Sequence, residues 1–165
     1  MRNLELCDRR HLEAAQGWLG LGNWLEANNE LEEITPQYRA HPDVLQVRWN
    51  IYAKAKKWEM AAEVAQALTK LLPENSSGWI HWGFSLHELK RTKEALEILS
   101  PVSDKFPGEY LIFYNLACYC CQLGNLKESF HWLKKAIDLA GKKDIRMMAL
   151  EDPDLEPLWN EIGEI

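Results

Sequence analysis

The sequence predicts an all-α fold, built as a solenoid of stacked antiparallel helix pairs. Apolar residues recur three and four positions apart, which is the spacing of amphipathic helices and not of strands. A turn followed by a small residue also returns every 34 residues, in the segments GNWLEA (22–27), KKWEMA (56–61), KRTKEA (90–95) and GNLKES (124–129). A fixed period of this length indicates one supersecondary unit that is repeated along the chain.

Each repeat is predicted to form two helices joined by a tight turn, over residues 8–41, 42–75, 76–109 and 110–143. Gly22 and Gly124 suit the end of a first helix, because glycine enters the left-handed conformation without a Cβ clash. Lys56 and Lys90 stand at this turn in the middle repeats, so they accept a steric cost there or form another type of turn. We expect the two helices of each repeat to cross at the small-residue column, which holds Ala27, Ala61, Ala95 and Ser129.

Proline is expected to modify two of the second helices. In the first repeat, we expect the second helix to run longer than in the others, with a bend near Pro36. Pro101 removes a backbone donor, so it should kink or end the second helix of the third repeat.

A C-terminal segment, residues 144–165, is predicted to form capping helices, because a stacked array leaves its last apolar face uncovered. Within it, DPDLEPLWNEIG (152–163) places four apolar residues on one helical stripe, Leu155, Leu158, Trp159 and Ile162. Asp152 or Asp154 is expected to cap this helix. Docking of the segment on a partner is the alternative.

The repeat resembles the tetratricopeptide repeat (TPR) family over residues 8–143. Pro73 and Pro107 after the second helix, and Gly83 in the small column of the first helix, match the family pattern. The resemblance implies a right-handed TPR α-solenoid whose concave groove, lined by the first helix of each repeat, binds a peptide or a helix.

Composition argues against several classes of function. A net charge of −6 repels nucleic acids and anionic membranes, so neither is an expected partner. No apolar run approaches the length that spans a bilayer, and the first residues lack the core of a secretory signal. Three of the four cysteines fall in CYCC (118–121), unlike a dispersed disulfide framework, so we expect reduced thiols in a cytoplasmic protein.

No catalytic or cofactor motif stands out in the sequence. A glycine-rich phosphate loop, a His-Glu-x-x-His pair and a nucleophile elbow are all missing, so we expect neither an enzyme nor a cofactor. Cys118, Cys121 and His87 form the one arrangement that resembles a metal site. Because they supply only three ligands, we favour thiols that simply fill a helix face, and we expect no metal.

The binding surface is expected on the inward columns of the first helices, as the TPR resemblance implies. Its predicted residues are Gln46, Asn50, Ile80, His81, Phe84, His87, Tyr114, Asn115, Cys118 and Cys121. This mapping exposes Ile80, Phe84 and Tyr114, and exposed apolar side chains of this kind indicate a surface that a partner covers. Packing on the C-terminal helix or in a homodimer is the alternative for the same side chains.

The sequence therefore predicts a non-enzymatic protein–protein interaction module or scaffold. Its partner is a protein or peptide of unknown identity, held in the concave groove. The clamp with which many TPR domains bind chaperone tails is matched only at Asn50, so we do not expect a free acidic C-terminal peptide to bind. Two alternatives remain, a secretion-type chaperone that masks a hydrophobic client and a regulatory subunit of an enzyme complex.

Overall fold

A computed structural model describes residues 3–164, and this part of the chain contains ten α-helices and no strand. The predicted all-α fold is confirmed. In chain order the helices are α1 Leu6–Gly20, α2 Trp24–Glu33, α3 Pro42–Lys54, α4 Trp58–Leu71, α5 Ser76–Glu88, α6 Thr92–Leu99, α7 Tyr110–Gln122, α8 Leu126–Ala140, α9 Lys142–Glu151 and α10 Trp159–Glu164. Short 3-10 turns follow α2, α6 and α9, at Pro36–Tyr38, Ser100–Val102 and Pro153–Leu158. Over residues 3–164, every helix is too short or too polar to cross a bilayer.

The turns inside the four helix pairs share one backbone geometry. Gly22 and Gly124 are left-handed, with φ of 79° and 81°. Lys56 and Lys90 adopt the same conformation, with φ of 55° and 63°, so they accept its steric cost of about 1 kcal/mol. In each turn the amide of the next residue donates to the carbonyl five positions earlier, at 2.8–2.9 Å. This bond satisfies a carbonyl that the end of the helix leaves open.

The chain divides into two compact units between Ser85 and Leu86. In the first unit, α1 packs against α2 and α3 against both α2 and α4. Ala27 and Ala61, in the small-residue column, are fully buried. Gly78 allows α5 to lie close to α4, because a Cβ atom there would come within 3.1 Å of the Cβ of Leu68. The apolar core of this unit includes Leu12, Ala15, Leu31, Ile34, Val44, Val47 and Ile51.

In the second unit, α7 packs against α6 and α8, and α9 packs against α8 and α10. Ser129 occupies the small-residue column here, and its hydroxyl donates to the Ala117 carbonyl of α7 at 2.7 Å. The column therefore tolerates a polar side chain where a carbonyl lies within reach. The buried core of the unit includes Leu99, Ile112, Leu116, Leu133, Ala136, Ile145, Leu155 and Ile162.

The expectation of a longer second helix in the first repeat is wrong. The helix α2 ends at Glu33, and Pro36 begins a separate 3-10 turn. Ile34 is already extended, so the helix ends one residue before Thr35, and Thr35 takes the non-helical conformation that a residue before proline prefers. The Thr35 amide donates to the buried carboxylate of Asp8 at 2.7 Å, which fixes the exit of the chain. By contrast, α6 ends at Leu99, just before Pro101, as predicted.

Three of the four residues in the apolar stripe of the C-terminal segment are buried, and Trp159 is half-buried. Leu155, Leu158 and Ile162 are inaccessible to solvent or nearly so. The Asp152 carboxylate accepts from the amide of Asp154 at 3.0 Å, so Asp152 is the cap. It caps the 3-10 turn, while the α-helical part begins only at Trp159.

Candidate protein-binding surface

The predicted binding residues divide equally between the two units. The first unit holds Gln46, Asn50, Ile80, His81 and Phe84, and the second holds His87, Tyr114, Asn115, Cys118 and Cys121. The two sets differ in what surrounds them.

In the first unit, α3 and α5 are joined by a connected set of side chains. The Gln46 side-chain amide lies 2.7 Å from Nε2 of His81. The His81 ring stacks on the Trp49 indole, with centroids 3.7 Å apart and planes 9° from parallel. The indole donates to the Ser85 hydroxyl at 3.1 Å, and that hydroxyl donates to the His81 carbonyl at 2.8 Å. Asn50, one turn beyond Gln46, is exposed. We call Gln46, Trp49, Asn50 and His81 the His81 platform.

The His81 platform carries no formal charge near neutral pH. Burial lowers the pKa of His81 to about 4, so its ring is neutral under physiological conditions. With the Gln46 amide donating, Nε2 of His81 is the acceptor and Nδ1 carries the proton. The platform therefore offers neutral hydrogen-bonding groups beside an aromatic face.

Lowering the pH is expected to destabilise the chain through His81. Its pKa in the folded chain, about 4, lies below the ordinary value of 6.5, so the unfolded chain binds the proton first. Stability should consequently fall as the pH drops, by about 2 kcal/mol between about pH 7.5 and about pH 5. The measurement is urea unfolding at both pH values for the wild type and for His81→Asn, which should lose this component.

His131→Asn is the matched control, because His131 is exposed. It should keep the full pH dependence of the wild type. Equal pH dependence in the His81 variant and the wild type would contradict the assignment of a buried neutral ring.

Ile80 and Phe84 are half-buried, so the expectation that they stand exposed holds only in part. The Phe84 ring meets the Trp58 indole edge to face at 5.6 Å and lies 6.4 Å from the Trp49 indole. Such pairs are stabilising beyond the area that they bury. Phe84 therefore packs against the His81 platform through its contact with the Trp49 indole.

In the second unit, the C-terminal 3-10 turn lies on α7. The Tyr114 hydroxyl donates to the Asp152 carboxylate at 2.8 Å, and the Cys118 thiol lies 3.6 Å from the same oxygen. Tyr114 is only 5% exposed, so the expectation that it marks an open surface is wrong. The reason is the Asp152 carboxylate, which occupies the space where we expected a partner. The alternative, packing on the C-terminal segment, describes the structure.

Asp154 holds the same segment at two further points. Nε2 of His87 lies 2.8 Å from the Asp154 carboxylate, and Nδ1 lies 3.0 Å from the Thr92 hydroxyl. The side-chain amide of Gln122 donates to the Asp154 carbonyl at 3.0 Å. His87 is buried, and so is Cys121. These two predicted residues and Cys118 therefore lie inside the unit, while Asn115 is half-buried.

The buried thiols are held in the protonated form. Burial, and next the Asp152 carboxylate, raises the pKa of the Cys118 thiol well above its ordinary value. Burial likewise raises the pKa of Cys121. A protonated thiol is neither a nucleophile nor a metal ligand. Within residues 3–164, no three His, Cys, Asp or Glu side chains are grouped as a metal site requires.

Sequence reasoning missed three participants, Trp49, Asp152 and Asp154. Trp49 carried a usable signal, because it is the one large residue in a column otherwise filled by Ala15, Gly83 and Ala117. For the two aspartates, no signal in the sequence indicated a position on the binding surface. They lie outside the repeats, so the period of 34 assigns them no position in space.

The chain was compared with protein-family models, curated proteins and solved structures, and the solved structures show which fold it has. No protein-family model matches the chain, and no curated protein matches it. A solved structure of MamA from Desulfovibrio magneticus RS-1 is 20% identical, with a TM-score of 0.75 over 98% of this chain and 96% of that one. TTC0263, a TPR protein of Thermus thermophilus, is 17% identical, with a TM-score of 0.75 over 94% and 83%. YrrB, described as a TPR protein with an unusual peptide-binding site, is 20% identical, with a TM-score of 0.71 over 88% and 75%.

Proposed function

Because the chain has the tetratricopeptide-repeat fold, we propose that it is a non-enzymatic protein-interaction module that holds a peptide or helical segment of a partner on the His81 platform. The observation that carries the proposal is a difference between two equivalent positions. Asn50 and Cys118 lie two periods apart in the sequence. Asn50 is the exposed residue of the platform, whereas Cys118 is buried beneath the chain's own Asp152.

The chemistry of the platform suits an uncharged segment. The side-chain amide of Asn50 both donates and accepts, which matches the amide groups of a peptide backbone. The half-buried Trp49 indole beside it, which stacks on His81 with one face, adds apolar area for a proline, aliphatic or aromatic side chain. A carboxylate would find no cationic partner among the residues of the platform. The solved structure of YrrB, with its peptide-binding site, supports a peptide as the ligand class.

The alternatives differ in the partner. A regulatory subunit would use the platform to bind an enzyme, and copurification with that enzyme would identify it. A secretion-type chaperone needs an apolar surface for its client. The neutral polar character of the platform favours the scaffold over that chaperone, since amide and imidazole groups would have to be desolvated against an apolar client.

The proposal predicts that Asn50→Arg weakens peptide binding by about tenfold or more, or about 1.4 kcal/mol. A peptide library is displayed to the purified chain, selected peptides are synthesised, and their affinities are measured by calorimetry. The added guanidinium can donate but cannot accept, so it removes the acceptor of the amide, and it places a charge in a neutral site. The fold should be unaffected, because Asn50 is exposed on α3.

Asn160→Arg on α10 is the matched control, because Asn160 is also an exposed helical asparagine. It should leave the affinity unchanged. Selected peptides that bind the Asn50 variant as tightly as the wild type would refute the assignment of the platform.

A further inference from the structure

The centre of one face of α1 is exposed, although the equivalent positions at the centre of α3 and α7 are buried. The helix α3 packs on α2, and α7 packs on α6. Ile51 of α3 and Tyr119 of α7 are each 1% exposed. The residue one period before Ile51 is Gly17, and it is exposed. By comparison with α3 and α7, this face of α1 is suited to pack against another helix.

The exposed face is a shallow apolar groove with small residues at its centre. A concave region of about 280 Å³ is lined by Ala14, Gly17, Trp18 and Leu21. Leu21 is 79% exposed and Trp18 is 37% exposed. A Cβ atom added at Gly17 would meet nothing within 4 Å. Small residues flanked by larger apolar ones allow a second helix to approach closely.

Arg10 continues this face toward the start of α1, at the spacing of three and four that runs through Ala14, Gly17 and Leu21. Its equivalent one period later is the fully buried Val44. An arginine in this position places a positive charge on an otherwise apolar face. The occupant should therefore offer negative charge opposite Arg10.

A second copy of α1 meets this requirement when it lies antiparallel. In an antiparallel pair of identical helices, a step toward the C-terminus in one copy faces a step toward the N-terminus in the other. If Ala14 of one copy faces Gly17 of the other, Arg10 therefore faces Leu21. Leu21 follows the C-terminal end of α1, where the helix dipole is negative. The last turn of α1 has no basic residue of its own. The face is thus complementary to itself about a twofold axis.

We propose that α1 pairs antiparallel with α1 of a second copy of this chain, forming a closed twofold dimer through Ala14, Gly17, Trp18 and Leu21. Closed twofold dimers are the commonest form of oligomer. The contact uses none of the four residues of the His81 platform. It is therefore independent of the proposed function, and either can fail without the other.

Gly17→Gln tests the dimer without threatening the fold. The wild type should sediment as a dimer that dissociates on dilution, and the variant should raise the dissociation constant by about tenfold or more. Glutamine favours a helix over glycine and meets open space in the single chain, so the melting temperature of the variant should hold or rise. Loss of the dimer without loss of stability is the signature that a merely unfolded variant cannot produce.

Gly20→Gln is the matched control, because Gly20 also lies in α1 with open space around it. Gly20 does not line the groove, so it lies outside the proposed contact. It should leave the dimer intact, while Arg10→Glu should weaken it. A wild type that stays monomeric at every concentration, or a Gly17 variant that dimerises as strongly as the Gly20 variant, would overturn the proposal.

Discussion

Leu155→Ala is expected to lower the free energy of unfolding by about 2–5 kcal/mol. Leu155 is fully buried within the 3-10 turn that lies on α7, so removing three carbon atoms leaves a cavity that the surrounding helices cannot fill completely. The loss should be measured by urea unfolding, followed by circular dichroism.

This result decides between two views of the C-terminal segment. A removable tail that a partner displaces would contribute little stability, and Tyr114 would become accessible at little cost. An integral part of the core would contribute several kcal/mol. Leu139→Ala is the control, because Leu139 is an exposed leucine of α8 and its loss should cost less than about 1 kcal/mol. Equal and small effects of the two substitutions would contradict the integral view.

Ala61→Leu is expected to destabilise the first unit by about 1–3 kcal/mol. Ala61 is fully buried in α4, which packs against α3, and added carbon atoms there would force the two helices apart. Differential scanning calorimetry should show the lower melting temperature. Glu63→Leu adds a leucine to an exposed position of the same helix and should change stability by less than about 0.5 kcal/mol.

An unchanged melting temperature for Ala61→Leu would mean that the small-residue column does not mark the contact between paired helices. The same column holds Ala27, Ala95 and Ser129, so the reading of all four repeats depends on this result. The Ser129 hydroxyl bond to the Ala117 carbonyl already shows how close the two helices of the last pair lie.

The features that the sequence predicts well are those that depend on local backbone. A turn that ends a helix needs a left-handed residue, so Gly22 and Gly124 could be placed before the structure was known. For Lys56 and Lys90, the sequence does not decide between a strained left-handed residue and another type of turn. The repeat period predicts where a residue lies in the helix pair but does not predict its dihedral angles. The predicted length of α2 is wrong for a local reason, the non-helical conformation of Ile34 and Thr35 ahead of Pro36.

The candidate surface was harder to predict, because repeat equivalence does not imply equal exposure. Gln46 and Tyr114 lie two periods apart, yet only Tyr114 is covered by a carboxylate from outside the repeats. The stack of Trp49 on His81 depends on side-chain orientations across two helices, which no spacing in the sequence records. Position along the repeat was predictable, whereas the neighbours that cover each position were not.

The central claim is that the His81 platform binds a partner while the chain's own C-terminal turn fills the face of α7. Nuclear magnetic resonance tests it most directly, through the side-chain amide signals of asparagine and glutamine during titration with a selected peptide. The account predicts that the signals of Gln46 and Asn50 shift, while those of Asn115 and Gln122 stay in place. Shifts confined to Asn115 and Gln122 would contradict it, because they would mean that the peptide binds α7 and displaces Asp152 and Asp154.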